Sequence, residues 1–111
     1  MAAAPKHDVF QAVADPTRRE LLKLLSQNDR ALHELTEHFD MTRTAVSKHL
    51  RILSEANLVM GRKSGRNKIY QLHPEPLKEV KDWLAYYEKF WENKLNMLKH
   101  YVENDESDSN S

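Results

Sequence analysis

Between Met41 and Leu53 the chain reads MTRTAVSKHLRIL. At helical spacing Val46, Leu50 and Leu53 recur at i, i+4 and i+7 and share one face, which leaves Arg43, Thr44, Ser47, Lys48 and Arg51 on the opposite side. That side offers hydrogen-bond donors and carries no acid. Hydroxyls in the first two turns, followed by cations, are the groups that meet base edges and phosphates when a helix enters a DNA major groove, with Arg able to grip guanine. Thr42 stands just ahead as a helix N-cap and joins the same surface. An ordinary solvated helix face would use similar residues, so the stretch alone leaves both readings open.

The next segment tips the balance toward DNA. Leu58-Val59-Met60 and Lys68-Ile69-Tyr70-Gln71-Leu72 are predicted to be two short strands, and the intervening Gly61 to Asn67 holds both glycines of the chain. The result is a β-hairpin with a basic tip, where Arg62, Lys63, Arg66 and Lys68 form one cationic loop. Helix, turn, helix and basic hairpin in that order describe a reading helix and a wing that reaches phosphates or a minor groove. From Thr42 to Lys68 seven cations face the single acid Glu55, so the segment carries +6 while the whole chain is neutral and the remainder is −6.

These groups need elements to hold them. At 111 residues the chain is long enough for one core and short for two ordinary domains. Cysteine is absent, which excludes a disulfide framework, a thiolate metal site and a cysteine nucleophile. The N-terminus MAAAPKHDV lacks the features of a signal peptide, and no apolar run approaches the roughly 20 residues of a membrane span, so a soluble, cytoplasmic protein is expected. His7 to Ala14 is predicted to form a short helix with Val9, Phe10 and Val13 on its apolar side. Asp15 as N-cap and Pro16 at the first helical position open a second helix running to about Ser26 with Leu21, Leu22, Leu24 and Leu25 toward the core. After a polar turn from Gln27 to Arg30, Ala31, Leu32, Leu35 and Phe39 mark a third. Thr42 caps the reading helix, which runs to about Ala56 and ends at Asn57, a residue tolerated in the left-handed conformation.

His73-Pro74-Glu75-Pro76 bars helix until Leu77. From there Leu77, Val80, Leu84, Tyr87, Trp91, Lys94, Leu98 and Tyr101 recur in alternating steps of 3 and 4, and Trp83, Tyr86, Phe90 and Met97 form a second apolar stripe beside them. Such an arc is too wide for one small domain to cover, which points to a homodimer. Order is expected to end near Val102, because residues 103–111 form an acidic, serine-rich tail without apolar anchors. The expected organisation is therefore one DNA-binding and dimerisation domain over residues 1–102 followed by that tail.

The blocks ADPTRRELLKLL at Ala14 to Leu25, TAVSKHLRILSEANLV at Thr44 to Val59 and GRKSGRNKIYQL at Gly61 to Leu72 resemble the ArsR/SmtB family of winged-helix transcriptional repressors. The resemblance covers roughly Val9 to Leu72. The C-terminal helix, with Trp83, Tyr86, Tyr87 and Trp91, is similar to a branch that lacks metal sites and includes autorepressor-type regulators. The resemblance implies a mainly α fold with a small β-hairpin, a homodimer joined through its first and last helices, and repression at an inverted-repeat operator on double-stranded DNA. It also turns Arg43, Thr44, Ser47 and Lys48 toward the major groove. Val9, Phe10, Val13, Leu84, Tyr87, Trp91 and Leu98 are the expected interface.

Many relatives of that kind sense metals, so departures from their patterns matter. Leu32-His33-Glu34-Leu35-Thr36 stands where such proteins carry a cysteine motif, and it has no thiolate. His100 and Glu103 offer half of the other common site, but Tyr87 and Lys89 occupy the matching upstream positions and cannot complete a zinc set. No cofactor and no metal are expected. Two alternatives remain at this level. One is a derepressor of the same fold responding to a metal or small ligand, and the other is an interaction module whose aromatic helix binds a partner protein. An enzyme is not expected: there is no glycine-rich phosphate loop and no G-x-S-x-G elbow, and the helical carboxylates read as solvated faces.

Overall fold

The computed structural model describes residues 7–109, with side chains described to residue 103. The chain divides into two compact units, residues 1–80 and 81–111. The elements are α1 (Val9–Val13), α2 (Pro16–Gln27), β1 (Arg30–Ala31), α3 (Leu32–Thr36), α4 (Arg43–Glu55), β2 (Val59–Ser64), β3 (Asn67–Leu72) and α5 (Leu77–Ser109).

Each helix of the first unit starts on a bond that local sequence supplies. Asp8 and Gln11 close a capping box around α1, with the Gln11 N–H donating to the Asp8 carboxylate at 2.7 Å and the Asp8 N–H to the Gln11 side chain at 3.2 Å. Asp15 accepts from the Arg18 N–H at 3.0 Å with Pro16 in the first turn of α2. Thr42 accepts from the Ala45 N–H at 3.1 Å at the head of α4. The other end of α4 is a Schellman turn: Asn57 takes φ 62°, its N–H reaches the Ser54 carbonyl, and the Leu58 N–H reaches Leu53 at 2.9 Å. The turn then delivers Leu58, wholly buried, into the core.

Leu21, Leu22, Leu24 and Leu25 of α2, Leu35 of α3, Val46, Leu50 and Leu53 of α4, and Val59 and Tyr70 of the hairpin form that core. Leu77 and Val80, the first turn of α5, pack against it. Transferring such side chains out of water contributes about 1.5–3 kcal/mol each. That burial holds α4 by one face and leaves the other open.

The hairpin differs from the sequence expectation. Gly61 to Ser64 and Asn67 are strand rather than loop, in register Gly61↔Tyr70, Arg62↔Ile69, Lys63↔Lys68 and Ser64↔Asn67. The turn is only Gly65-Arg66, and positive φ at Gly65 alone fits the II′ geometry that right-handed strand twist favours. Arg30-Ala31 forms β1 against Tyr70 and Ile69, making a sheet of order β1-β3-β2 where a polar turn was expected. Two residues are too few to show a period, and their pairing comes from the partner strand.

Other boundaries also moved. α1 and α3 are shorter than expected, and α3 closes in turns through His38 and Phe39. The second unit is the remainder of α5, whose helix continues past Val102 to Ser109 instead of ending there. Residues 103–109 contain neither Gly nor Pro, so the hydrogen-bond ladder has no local breaker. At about 1.5 Å per residue the helix is roughly 50 Å long.

Candidate nucleic-acid interface

The core anchors of α4 leave Thr42, Arg43, Thr44, Lys48 and Arg51 exposed, and Ser47 half-buried. The Thr42 oxygen is occupied as the cap. Glu55 is the one acid of this face, and its carboxylate lies 3.3 Å from the Arg51 guanidinium and 3.0 Å from the His7 ring. The face therefore presents no free carboxylate to a polyanion. Sequence reasoning counted Glu55 but had no signal for His7, which lies 48 positions away and meets it only in the fold.

Strand alternation splits the wing cations. Lys63 and Lys68 stand directly opposite each other on the face that also carries Gly61 and Tyr70, whereas Arg62 projects from the other face, 3.7 Å from Asp29. Arg66 is at the tip. A side chain at Gly61 would meet Lys68 Cε at 2.7 Å and the Tyr70 ring at 3.1 Å. Its hydrogen lets Lys68 lie back with its ammonium 5.4 Å from the Tyr70 ring centroid. Like charges directly opposed across strands are destabilising. Among the described residues no carboxylate pairs with Lys63, Arg66 or Lys68, so a bound phosphate would relieve the repulsion.

Asp15 holds the start of α2, and the electrostatics of that corner are shifted. Burial alone would raise its carboxyl, but the Arg18 N–H, the His49 ring when protonated in acid, the Arg18 charge and the Thr17 N–H together bring it below the ordinary carboxylate value. The carboxylate form is therefore the folded-state form at neutral pH.

Of the residues expected at a subunit interface, Val9 is 4% exposed and belongs to the chain's own core. Phe10 and Val13 pack partly against the same core. Leu84 is half-buried. Tyr87, Trp91 and Leu98 are exposed on α5, beside Trp83, Tyr86 and Phe90. Edge-to-face contacts between Trp83 and Tyr87 at 5.4 Å and between Tyr86 and Tyr87 at 5.1 Å order these rings along the helix. Farther along, Glu103 meets Lys99 at 4.0 Å, and Lys89 lies over the rings of Tyr86 and Phe90. Among the described residues no three His, Cys, Asp or Glu side chains converge.

Residues 15–60 match the family described as bacterial regulatory protein, arsR family. The chain is 33% identical over 78 residues to the transcriptional repressor SdpR of Bacillus subtilis, covering 70% of this chain and 87% of that one. It is 33% identical over 100 residues to the HTH-type transcriptional regulator Rv2034 of Mycobacterium tuberculosis, covering 90% and 91%. Among solved structures, the ArsR family transcriptional regulator RHA00566 superposes with a TM-score of 0.67 at 37% identity, over 75% of this chain and 86% of that chain.

Proposed function

Because the chain belongs to the ArsR family of bacterial regulatory proteins, a family of regulators and not enzymes, we propose that it is a homodimeric repressor whose α4 reads the major groove of an inverted-repeat operator while the β2–β3 wing grips phosphates. The observation that carries this reading is the pairing of two surfaces. One is the α4 face whose only acid is already neutralised, and the other is a hairpin whose Lys63 and Lys68 oppose each other with no protein counterion among the described residues.

Arg43 and Thr44 in the first turn supply base contacts, with Ser47 and Lys48 one turn on. Lys63, Arg66 and Lys68 supply contacts that position the duplex without specifying sequence. Arg51 exchanges Glu55 for a phosphate on binding. Two copies joined along the exposed apolar face of α5 present two α4 helices related by a twofold axis, and the operator then repeats that symmetry. A repressor that reads DNA works in the cytoplasm; among the described residues no helix is long and apolar enough to cross a membrane.

The test is selection of duplexes from a random pool by the purified chain, followed by fluorescence anisotropy on the selected and a scrambled duplex. An enriched inverted repeat bound more tightly than its scramble supports the reading. Enrichment of no sequence over the starting pool overturns it.

A further inference from the structure

One side-chain cluster of the first unit is used by neither the core nor the cationic face, and it joins three helices. Arg18, near the start of α2, donates from Nε to the Ala12 carbonyl at 2.7 Å and from Nη2 to the Gln11 carbonyl at 3.0 Å, closing the last turn of α1. Its remaining arm, Nη1, lies 3.3 Å from Nδ1 of His49, a half-buried residue of α4. A guanidinium has donors only. A hydrogen bond in this contact therefore requires Nδ1 to accept, which an imidazole with its hydrogen on Nε2 can do.

The same nitrogen lies 3.8 Å from the Asp15 carboxylate. Protonated at Nδ1, the ring would donate to Asp15 and meet Arg18 as a like charge. The two bonding arrangements exclude each other. Arg18 cannot follow the ring, because its other two bonds fix it to α1. Among the described residues, Asp15 and Arg18 are the charged groups in hydrogen-bond or ion-pair contact with His49, and both belong to the start of α2.

We propose that Arg18 is a positioning residue for DNA recognition, holding the reading helix in register against α1 and α2 through the neutral imidazole of His49. In that register the first-turn residues Arg43 and Thr44 meet base edges. When His49 is protonated its Nδ1 can no longer accept from Arg18, the link from α4 through Arg18 to the α1 carbonyls is lost, and sequence preference falls although the added charge favours any duplex. This rests on α4 being the groove-facing helix.

The experiment measures affinity for the selected and the scrambled duplex from about pH 8 to about pH 5.5, the range over which imidazole ordinarily changes charge, for the full wild-type chain and three variants. His49→Gln offers a neutral acceptor that cannot titrate, His49→Leu offers none, and Arg18→Lys keeps the charge without the fork. At the upper pH His49→Gln retains the wild-type preference, while His49→Leu and Arg18→Lys lose roughly tenfold, the scale of one bond to a charged donor. On acidification the wild-type preference falls and that of His49→Gln stays level. A wild-type preference that does not change with pH overturns the proposal without reliance on any variant. So does a His49→Leu chain that loses affinity equally on both duplexes. Wild-type chain that binds no duplex at any pH instead removes the DNA reading beneath it, and the two failures are distinct.

Discussion

α4 and α5 carry apolar residues at the same helical spacing, yet one face is sealed and the other is open. Val46, Leu50 and Leu53 of α4 are fully buried by elements of their own chain. Trp91 remains 49% exposed and Leu98 61% exposed on α5. The difference lies in what the chain provides as cover. α4 is ringed by α2, α3 and the hairpin, whereas α5 past Val80 is a unit of its own and supplies no second element to cover its rings. An apolar face hidden by its own chain aims a polar face outward, and the apolar face left open is the surface proposed for assembly.

The sharpest way to break this comparison is to truncate one aromatic on the open face. Trp91→Ala should weaken dimerisation by about 3–5 kcal/mol, the usual cost of removing a large aromatic from a packed core. Sedimentation equilibrium across a concentration series reads this directly. A wild-type chain that sediments as a monomer at micromolar concentration removes the contrast, since α5 would then tolerate exposure.

On the polar side of α4 the next largest effect belongs to Arg43. Arg43→Ala should reduce discrimination between selected and scrambled duplex by about 1–3 kcal/mol, as a lost base contact does. Equal losses on both duplexes would move Arg43 from reading to clamping. Asp15 tests how the reading helix is supported. Asp15→Ala removes a helix cap and should lower stability by about 1 kcal/mol at neutral pH. Because the folded carboxyl sits below its ordinary value, its stabilising contribution is present above that value and is lost as pH falls through the folded one. Denaturant midpoints of wild type and variant should therefore converge only in strong acid, and convergence already near neutrality would refute the electrostatic account of this corner.

The smallest effects separate the two faces of the wing. Lys68→Ala should weaken all duplexes alike and reduce the salt slope by about 1. Arg62→Ala, on the other face and near Asp29, should leave that slope unchanged and alter stability by at most about 1 kcal/mol, as for an exposed ion pair. Equal slopes for the two variants would return Arg62 to the set of phosphate contacts proposed for the hairpin.

Much of this molecule is written in short-range signals. Asp15-Pro16, Thr42 and Asn57 set helix ends because a cap acts within one turn, and the spacing of Val46, Leu50 and Leu53 selects the face of α4 wherever a core is supplied. The two glycines mark the hairpin, and the blocks around α2, α4 and the wing carry the family. What only the tertiary structure decided involves partners with no common local pattern. β1 exists because β3 pairs with it, and Val9 is buried because α1 packs on α2. Arg62 parts from Lys63 because pairing starts at Val59 and makes strand of the supposed loop. Glu55 meets His7 across 48 positions, and His49 meets Arg18 across 31 positions. Periodicity records which residues share a face, while the identity of the group opposite that face depends on chain closure, and closure brings together residues whose separation in sequence has no period.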